Sequence, residues 1–196
     1  MHFTHLRHVP TGLRAPELTL RPLTADDAAA DFDAVMSSRE ALRVWEQSAW
    51  PADDFTVEAN REDLAGLERR HGARQAFTYT VTDPAGERCL GCVYVMPPDA
   101  KMYDGAAITP LRELTWADVD AAVYFWVRTE LHSEGTDRAL LAALRDWFTR
   151  EWDLRTVLFV TNEALTQQVA LLETAGLAPA FQITERDKPS PYVAFV

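Results

Sequence analysis

The sequence predicts a single domain of mixed α/β (α+β) class, and three patterns carry that prediction. An apolar strand pattern at 119–127 leads through a polar loop with one glycine into an amphipathic helix at 136–152. A hairpin pattern precedes this unit, and a strand, a helix and a last strand follow it. The 196 residues, 47% of them hydrophobic, are enough for one core of ordinary size.

The first half of the chain predicts one strand followed by three helices. Residues 17–23 alternate apolar and polar side chains, as a half-buried strand does. Thr24 and the two aspartates soon after it suit a helix start, because threonine caps a helix and acids stabilise its N-terminus. Two further helices are predicted at about 38–47 and 56–71, and Pro51 lies in the break between them.

A hairpin and an irregular stretch are predicted next. The strand patterns at 76–82 and 88–96 are joined by Asp-Pro-Ala-Gly at 83–86, a favourable turn sequence. Residues 99–115 show little periodicity, so we predict an irregular insertion there.

The end of the chain completes the alternation of strands and helices. The helix at 136–152 carries its large apolar side chains on one side, and the apolar run at 155–161 is typical of a buried strand. A helix at 163–175 is expected to stop at Gly176. The last strand, at 192–196, suits either exchange within a homodimer or burial in one subunit.

Charge and hydropathy exclude some classes of partner. The net charge is −11, and Lys101 and Lys188 are the only lysines. A phosphate backbone would be repelled, so we expect no nucleic-acid partner. The N-terminus lacks an apolar leader pattern, and no apolar run is long enough to cross a membrane. We therefore expect a cytoplasmic protein with no membrane partner.

Neither the cysteines nor the histidines predict a redox or metal site. Cys89 and Cys92 lie inside one strand pattern, where residues three apart point to opposite faces. Buried thiols are therefore favoured over a disulfide or a shared metal. His2, His5 and His8 have no acid or thiol in register with them, so no metal site is predicted there.

The polar loop before the helix at 136–152 has the layout of an anion-binding turn. The first N–H groups of a helix lack partners within the helix and can hold an anion. Glu134 and Asp137, however, place negative charge where that anion would sit. Thr136 and Asp137 can instead serve only to cap the helix. The sequence leaves both interpretations open.

The order of these elements resembles the GCN5-related N-acetyltransferase (GNAT) family, as a divergent member, over residues 17–196. Three segments carry the likeness: AAVYFWVRTELHSEGTDRALL at 121–141, ALLETAGL at 170–177 and LTLRPLTADDAAADFDAV at 18–35. The resemblance implies a mostly antiparallel central sheet with helices on both faces. It also implies one acyltransferase domain after an N-terminal extension at 1–16.

The resemblance implies transfer of an acyl group from acetyl-CoA, or another acyl-CoA, to an amine of a small molecule or peptide. In the family, the backbone of the strand before the loop pairs with the pantetheine arm; this maps to Trp126, Val127 and Arg128. The family's loop amides hold the diphosphate. The matching positions here are His132, Ser133, Gly135, Thr136, Asp137 and Arg138.

The chain departs from the family's catalytic positions. Leu172 stands where the general-acid tyrosine falls, and Ala122 stands where many relatives place a glutamate base. Asp120, with Asp118 as an alternative, and Tyr124 are the predicted catalytic residues, because they share a strand face with Ala122. The other interpretation makes them strand-end acids and a core tyrosine.

Two functions follow from these observations. One is an N-acyltransferase; the other is a catalytically degenerate binding or regulatory module with the same fold. Trp45 and Glu46 lie where the family's early helices wall the acceptor pocket, and an indole beside a carboxylate suits a cationic amine. Packing of the helix on the sheet explains the tryptophan equally well.

Overall fold

A mixed β-sheet forms the centre of the computed structural model, which describes residues 3–196. The sheet order is β1-β2-β3-β4-β6-β7-β9-β8-β5, and all neighbouring strands are antiparallel except β6 and β7. The strands are β1 (Leu13–Arg14), β2 (Thr19–Pro22), β3 (Phe77–Thr82), β4 (Cys89–Met96), β5 (Ala107–Pro110), β6 (Ala121–Val127), β7 (Val157–Asn162), β8 (Pro179–Thr184) and β9 (Tyr192–Phe195).

Helices cover both faces of this sheet, as predicted. They are α1 (Ala28–Ser37), α2 (Arg39–Glu46), α3 (Val57–Gly72), α4 (Thr136–Glu151) and α5 (Thr166–Thr174). The apolar sides of α4 and α5 form one core with the sheet, whereas α1 to α3 form another on the opposite face. The predicted fold class is therefore confirmed. The last strand, β9, pairs with β7 and β8 of the same chain.

Three strands, β1, β5 and β8, were not predicted, and the prediction of an irregular stretch at 99–115 is wrong in part. That stretch contains β5, which pairs antiparallel with β8. Three of the four residues of β5 are exposed because the strand lies at the sheet edge. It therefore shows no apolar alternation. Pro110 and Pro179 are tolerated at the ends of these strands, where a missing N–H costs little.

A β-bulge corrects the expected placement of the two cysteines. Val81 pairs with Gly91 but Thr82 pairs with Cys89, so Leu90 is an extra residue in β4. The bulge turns Cys89 and Cys92 into the same core, on the α1–α3 face, rather than to opposite faces. Both thiols are buried and free, as expected.

We expect neither cysteine to be alkylated in the folded protein. Burial raises the pKa of Cys89 to about 11 and that of Cys92 well above its usual value. At pH 8 the thiolate fraction of Cys89 is then about a thousandth, which slows alkylation at least about a hundredfold against a free thiol. Mass spectrometry after iodoacetamide treatment checks this. Both thiols should react in urea, and rapid native labelling would contradict the burial.

The segment predicted as an N-terminal extension packs against the sheet where the structure describes it. The Phe3 ring stacks on Phe77 with centroids 4.9 Å apart, and Leu6 is also buried. The β1 strand adds to the sheet through β2. His2 lies outside the described residues, so the prediction that it takes part in no metal site stays a prediction. The domain boundary at residue 16 also stays a prediction.

A buried acid between α1 and α3 gives the fold a predicted pH dependence. Asp31 accepts a hydrogen bond from the Asn60 amide at 2.9 Å, and burial raises its pKa from 3.8 to about 6. Because the pKa of Asp31 is higher in the folded than in the unfolded protein, the protonated form of Asp31 stabilises the fold. This stabilisation is complete below pH 3.8 and is lost as the pH rises through about 6. The loss is about 3 kcal/mol in all, of which about 1.4 kcal/mol falls above pH 5.

Asp31→Asn should remove this dependence. We expect the free energy of unfolding of the variant, relative to the natural protein, to rise by about 1.4 kcal/mol between pH 5 and pH 8. Urea titration at several pH values measures it. Asp54→Asn, at an exposed position, should leave the difference unchanged, and a flat difference for Asp31→Asn would contradict the raised pKa.

Candidate active site

The parallel pair in the sheet separates part-way along its length. β6 and β7 pair only from Ala121 with Val157 to Val123 with Phe159, so the rest of β6 has no strand partner on that side. Gln168, from α5, bridges the opening. Its amide donates to the Phe125 carbonyl oxygen at 2.8 Å and its oxygen accepts from the Thr161 hydroxyl at 2.6 Å. The result is a cleft along the C-terminal half of β6.

The three residues predicted to bind pantetheine through their backbone do not all face this cleft. The Arg128 N–H donates to the Leu90 carbonyl on β4 at 2.8 Å. Alternate residues of an antiparallel strand direct their main-chain groups to opposite sides, so Val127 faces the cleft, as Phe125 does. Trp126, paired with β4 like Arg128, faces away.

The Arg128 side chain is also committed to the fold. Its Nε donates to the Cys89 carbonyl at 2.7 Å, beside the bulge. The two terminal nitrogens reach Ser37 at 3.2 Å and Asp33 at 2.6 Å, both on α1. The guanidinium therefore ties β6 to β4 and α1 and does not extend into the loop before α4.

A short 3₁₀ helix, Thr129–Glu134, joins β6 to α4. Gly135 follows with φ of +81°, in the left-handed region that favours glycine. A Cβ there would also come within 2.8 Å of the Arg138 guanidinium. This conformation at Gly135 lets the chain turn from the 3₁₀ helix directly into α4. Ser133 and Glu134 are exposed, whereas His132 and Thr136 are partly buried.

Asp137 occupies the start of α4. Its side chain is buried, and Oδ1 accepts the Arg138 N–H at 2.8 Å. Its Oδ2 accepts the Gln167 amide at 2.5 Å, which links α4 to α5. The carboxylate thus takes one of the donors that the sequence offered to an anion.

Two cavities meet at this contact. A channel of about 50 Å³ runs along the open edge of β6 between Trp45 and Gln168. A wider groove of about 590 Å³ lies between α4 and α5 and is lined by Arg138 and Arg145. Residues shared by both linings mark the junction: His132, Asp137, Gln167 and Leu171.

Of the predicted catalytic residues, Asp118 and Asp120 lie just before β6, and Tyr124 lies in the middle of that strand. Asp120 accepts the Arg155 N–H at 2.6 Å and the Thr156 N–H at 2.9 Å, so it fixes the start of β7. The Tyr124 hydroxyl lies 2.9 Å from that of Tyr103, and burial raises the pKa of Tyr124 well above its usual value. Asp118 accepts from the Thr115 hydroxyl at 2.5 Å. Both acids therefore serve local structure.

Comparison with known proteins identifies the family. A family model described as an acetyltransferase (GNAT) domain matches residues 17–178, which is most of the chain. The chain belongs to the GNAT acetyltransferase family. No protein with a curated description matches the sequence.

Solved structures of GNAT acetyltransferases share this fold. The ribosomal-protein-S5-alanine acetyltransferase from Vibrio fischeri has a TM-score of 0.67 at 16% identity, over 95% of each chain. The ribosomal L7/L12 α-N-protein acetyltransferase RimL, solved with coenzyme A, has a TM-score of 0.67 at 15% identity, also over 95% of each chain. The microcin C7 self-immunity acetyltransferase MccE, solved with acetyl-CoA and AMP, has a TM-score of 0.70 at 11% identity, over 95% of this chain and 96% of its own. At these identities the likeness shows the fold alone.

Two regions of the GNAT cleft are suited in shape to parts of an acyl-CoA, and one side chain obstructs the passage between them. The open edge at Val127 and the groove beside Arg138 and Arg145 suit an extended arm and a charged nucleotide end. The Asp137 carboxylate stands between them. Leu172, at the family's general-acid position, is fully buried.

Sequence reasoning missed two side chains that shape the GNAT cleft. Gln167 and Gln168 lie in a helix predicted at 163–175, and adjacent amides in an otherwise apolar stretch were the only signal. Within residues 3–196, no helix is long and apolar enough to cross a membrane. In the same part of the chain, no three His, Cys, Asp or Glu side chains come together as a metal site requires.

Proposed function

We propose that this protein is an acyl-CoA-dependent N-acyltransferase that transfers an acetyl group, or another acyl group, to an amine of a small molecule or peptide. The observation that carries the proposal is the end of β6–β7 pairing after Val123 and Phe159. An exposed strand edge offers main-chain donors and acceptors to an extended ligand, as an added strand would.

The residues around the cleft would then have distinct roles. Val127 would pair with the pantetheine arm, and the amides at the start of α4 would hold the diphosphate. Arg138 and Arg145, on the groove between α4 and α5, would face the nucleotide end. The acyl-CoA supplies a thioester whose thiol, with a pKa of about 8.5, leaves readily. The chain's contribution is to hold the amine and thioester together.

The cleft must widen for this ligand. A water molecule needs about 10–15 Å³ of the space that its centre can reach, so a channel of about 50 Å³ holds only about three to five waters. Entry of an acyl-pantetheine arm therefore requires Gln168 to release the Phe125 carbonyl. The Asp137–Gln167 hydrogen bond, which closes the junction of the two cavities, must also open.

The named relatives support an amine acceptor without fixing which one. Two of them are named for acetylating ribosomal proteins, S5 at an alanine and L7/L12 at the α-nitrogen, and the third is named for self-immunity to microcin C7. Both peptide and small-molecule amines are thus compatible with the fold. A homodimer stays a separate prediction.

A binding module without transfer activity is the second candidate. It is favoured by one observation, that the Asp137 carboxylate already accepts the Arg138 N–H where a diphosphate would bind. Such a module would retain the cleft for another ligand. Binding of acetyl-CoA separates the two candidates.

A thermal shift followed by a turnover assay tests the proposal. We expect millimolar acetyl-CoA to raise the Tm by several degrees, because ligand at a hundred times its Kd stabilises by about 2.7 kcal/mol. Release of free thiol with primary amines should then show turnover. No Tm shift at millimolar acetyl-CoA would favour the binding module and contradict the enzyme.

A further inference from the structure

A glutamine side chain fills the gap where β6 and β7 stop pairing. Gln168 is buried and lies on the wall of the channel along β6. Its amide nitrogen donates to the Phe125 carbonyl on β6 at 2.8 Å, and its oxygen accepts from the Thr161 hydroxyl on β7 at 2.6 Å. Pairing between the two strands ends just before, at Val123 and Phe159. Gln168 therefore takes the place of the next main-chain hydrogen bonds between these strands.

This side chain competes with any extended ligand in the channel. A ligand that adds to a strand edge pairs its own amide groups with the main chain of the strand. The Phe125 carbonyl, which faces the channel, already has an amide donor in Gln168. The side chain also fills space, since the channel that remains holds only a few waters. Its contact with Phe125 is therefore an internal copy of the one that the amide of a ligand would make.

The neighbouring glutamine closes the passage out of the channel. The Gln167 amide donates to the Asp137 Oδ2 at 2.5 Å, at the junction between the channel and the groove between α4 and α5. Gln167 and Gln168 are consecutive residues in the first turn of α5. One short segment of the chain thus obstructs both the channel and its connection to the groove.

The first turn of α5 lacks a side-chain cap. Its N-cap residue is Leu165, which has no side-chain acceptor for the free N–H groups of the turn. Terminal turns are the first parts of a helix to open, and this one has no cap to oppose that. The rest of α5 is held on the sheet by Leu171 and Leu172, which are buried. Opening of the first turn would therefore withdraw both glutamines and leave the remainder of α5 in place.

We propose that Gln168 autoinhibits the cleft. In the ligand-free protein its amide binds the Phe125 carbonyl in place of the pantetheine arm, and movement of the first turn of α5 withdraws Gln168 and Gln167 together to admit the ligand. This inference rests on the proposed function for the identity of the ligand. The arm then replaces the amide donor that Gln168 withdraws from Phe125. The apparent affinity for acyl-CoA is lowered in proportion to the fraction of molecules in which the turn is closed.

Hydrogen exchange measured by NMR tests the closed state without a ligand. The main-chain groups of Phe125 and Val127 face the channel, so we expect Gln168→Ala to speed exchange of both amide hydrogens at least tenfold. Amides of β3, on the other side of β4, should exchange as in the natural protein. Gln75→Ala, at an exposed position after α3, is the matched control and should change no rate. Equal exchange at Phe125 and Val127 in Gln168→Ala and in the natural protein would overturn the proposal.

Binding of the two halves of coenzyme A tests the competition. We expect isothermal titration to show that Gln168→Ala binds pantetheine at least fivefold more tightly than the natural protein, because no side chain must first leave the channel. Adenosine 3′,5′-bisphosphate, which has no arm, should bind the two proteins with affinities within twofold of each other. Thr161→Val keeps Gln168 but removes one of its two anchors, so its affinity for pantetheine should be intermediate. This second variant also serves where Gln168→Ala does not fold.

The outcomes separate this inference from the proposed function. Where acetyl-CoA binds the natural protein, an equal or lower affinity of Gln168→Ala for pantetheine would overturn the autoinhibition and leave the proposed function standing. Acetyl-CoA that binds neither protein would refute the proposed function. The exchange rates at Phe125 and Val127 would then decide alone whether Gln168 closes the channel.

Discussion

Asp137→Asn is expected to tighten the binding of acetyl-CoA by about tenfold to a hundredfold. The carboxylate accepts the Arg138 N–H at 2.8 Å, at the point where the proposed diphosphate would bind. At about 5 Å and an effective dielectric constant near 20, a carboxylate and one phosphate charge repel by roughly 3 kcal/mol. That energy corresponds to about a hundredfold in Kd. Asparagine keeps the shape and removes the charge.

Isothermal titration of acetyl-CoA measures this effect. Asp146→Asn is the matched control, because Asp146 is an exposed acid on the same helix that pairs with Arg150. It should leave the Kd nearly unchanged. We also expect Asp137→Asn to cost about 1 kcal/mol of stability without ligand, since the charged partner of the α4 N-terminus is lost. Weaker acetyl-CoA binding in Asp137→Asn would show that the carboxylate assists the ligand.

Gly91→Ala is expected to destabilise the fold by at least about 3 kcal/mol, at the upper end of the usual cost of overpacking. A Cβ at Gly91 would lie 2.0 Å from the Trp126 carbonyl oxygen and 2.8 Å from the Val127 Cα. Both atoms belong to the main chain of β6 and cannot rotate away. The strands must separate at the point where β6 borders the cleft.

Thermal unfolding measures this loss. At about 2–4 °C per kcal/mol for a chain of this size, the Tm should fall by about 6–12 °C. Gly66→Ala is the control. Gly66 lies inside α3, where a Cβ meets nothing closer than 3.8 Å, so alanine should stabilise by up to about 1 kcal/mol. A Tm for Gly91→Ala close to that of the natural protein would mean that β4 and β6 approach less closely.

Local patterns were enough to predict most of the fold. The apolar run before Gly135 and the one-sided helix after it appear in the structure as β6 and α4. The helices predicted at 38–47 and 56–71 agree with α2 and α3 to within two residues at each end. These elements bury one face, so their burial is visible in the spacing of apolar residues.

Features made by pairing over long distances could not be predicted. The bulge at Leu90 depends on the register between β3 and β4, which brings both cysteines to one face. The end of β6–β7 pairing depends on Gln168, from a helix more than forty residues after Phe125. Such arrangements appear only once the sheet is assembled.

The short parallel pairing between β6 and β7 makes the sheet easier to deform there than along its longer antiparallel pairings. Three residue pairs, from Ala121–Val157 to Val123–Phe159, are all the strand pairing between the half of the sheet formed by β1–β4 and β6 and the half formed by β7, β9, β8 and β5. Rotating the two halves of the sheet apart about these three pairs would stretch side-chain contacts, such as the hydrogen bonds made by Gln168, but would leave the longer strand ladders intact. Because Phe125 and Phe159 also pack together across this contact, widening the cleft would separate apolar side chains as well as break hydrogen bonds.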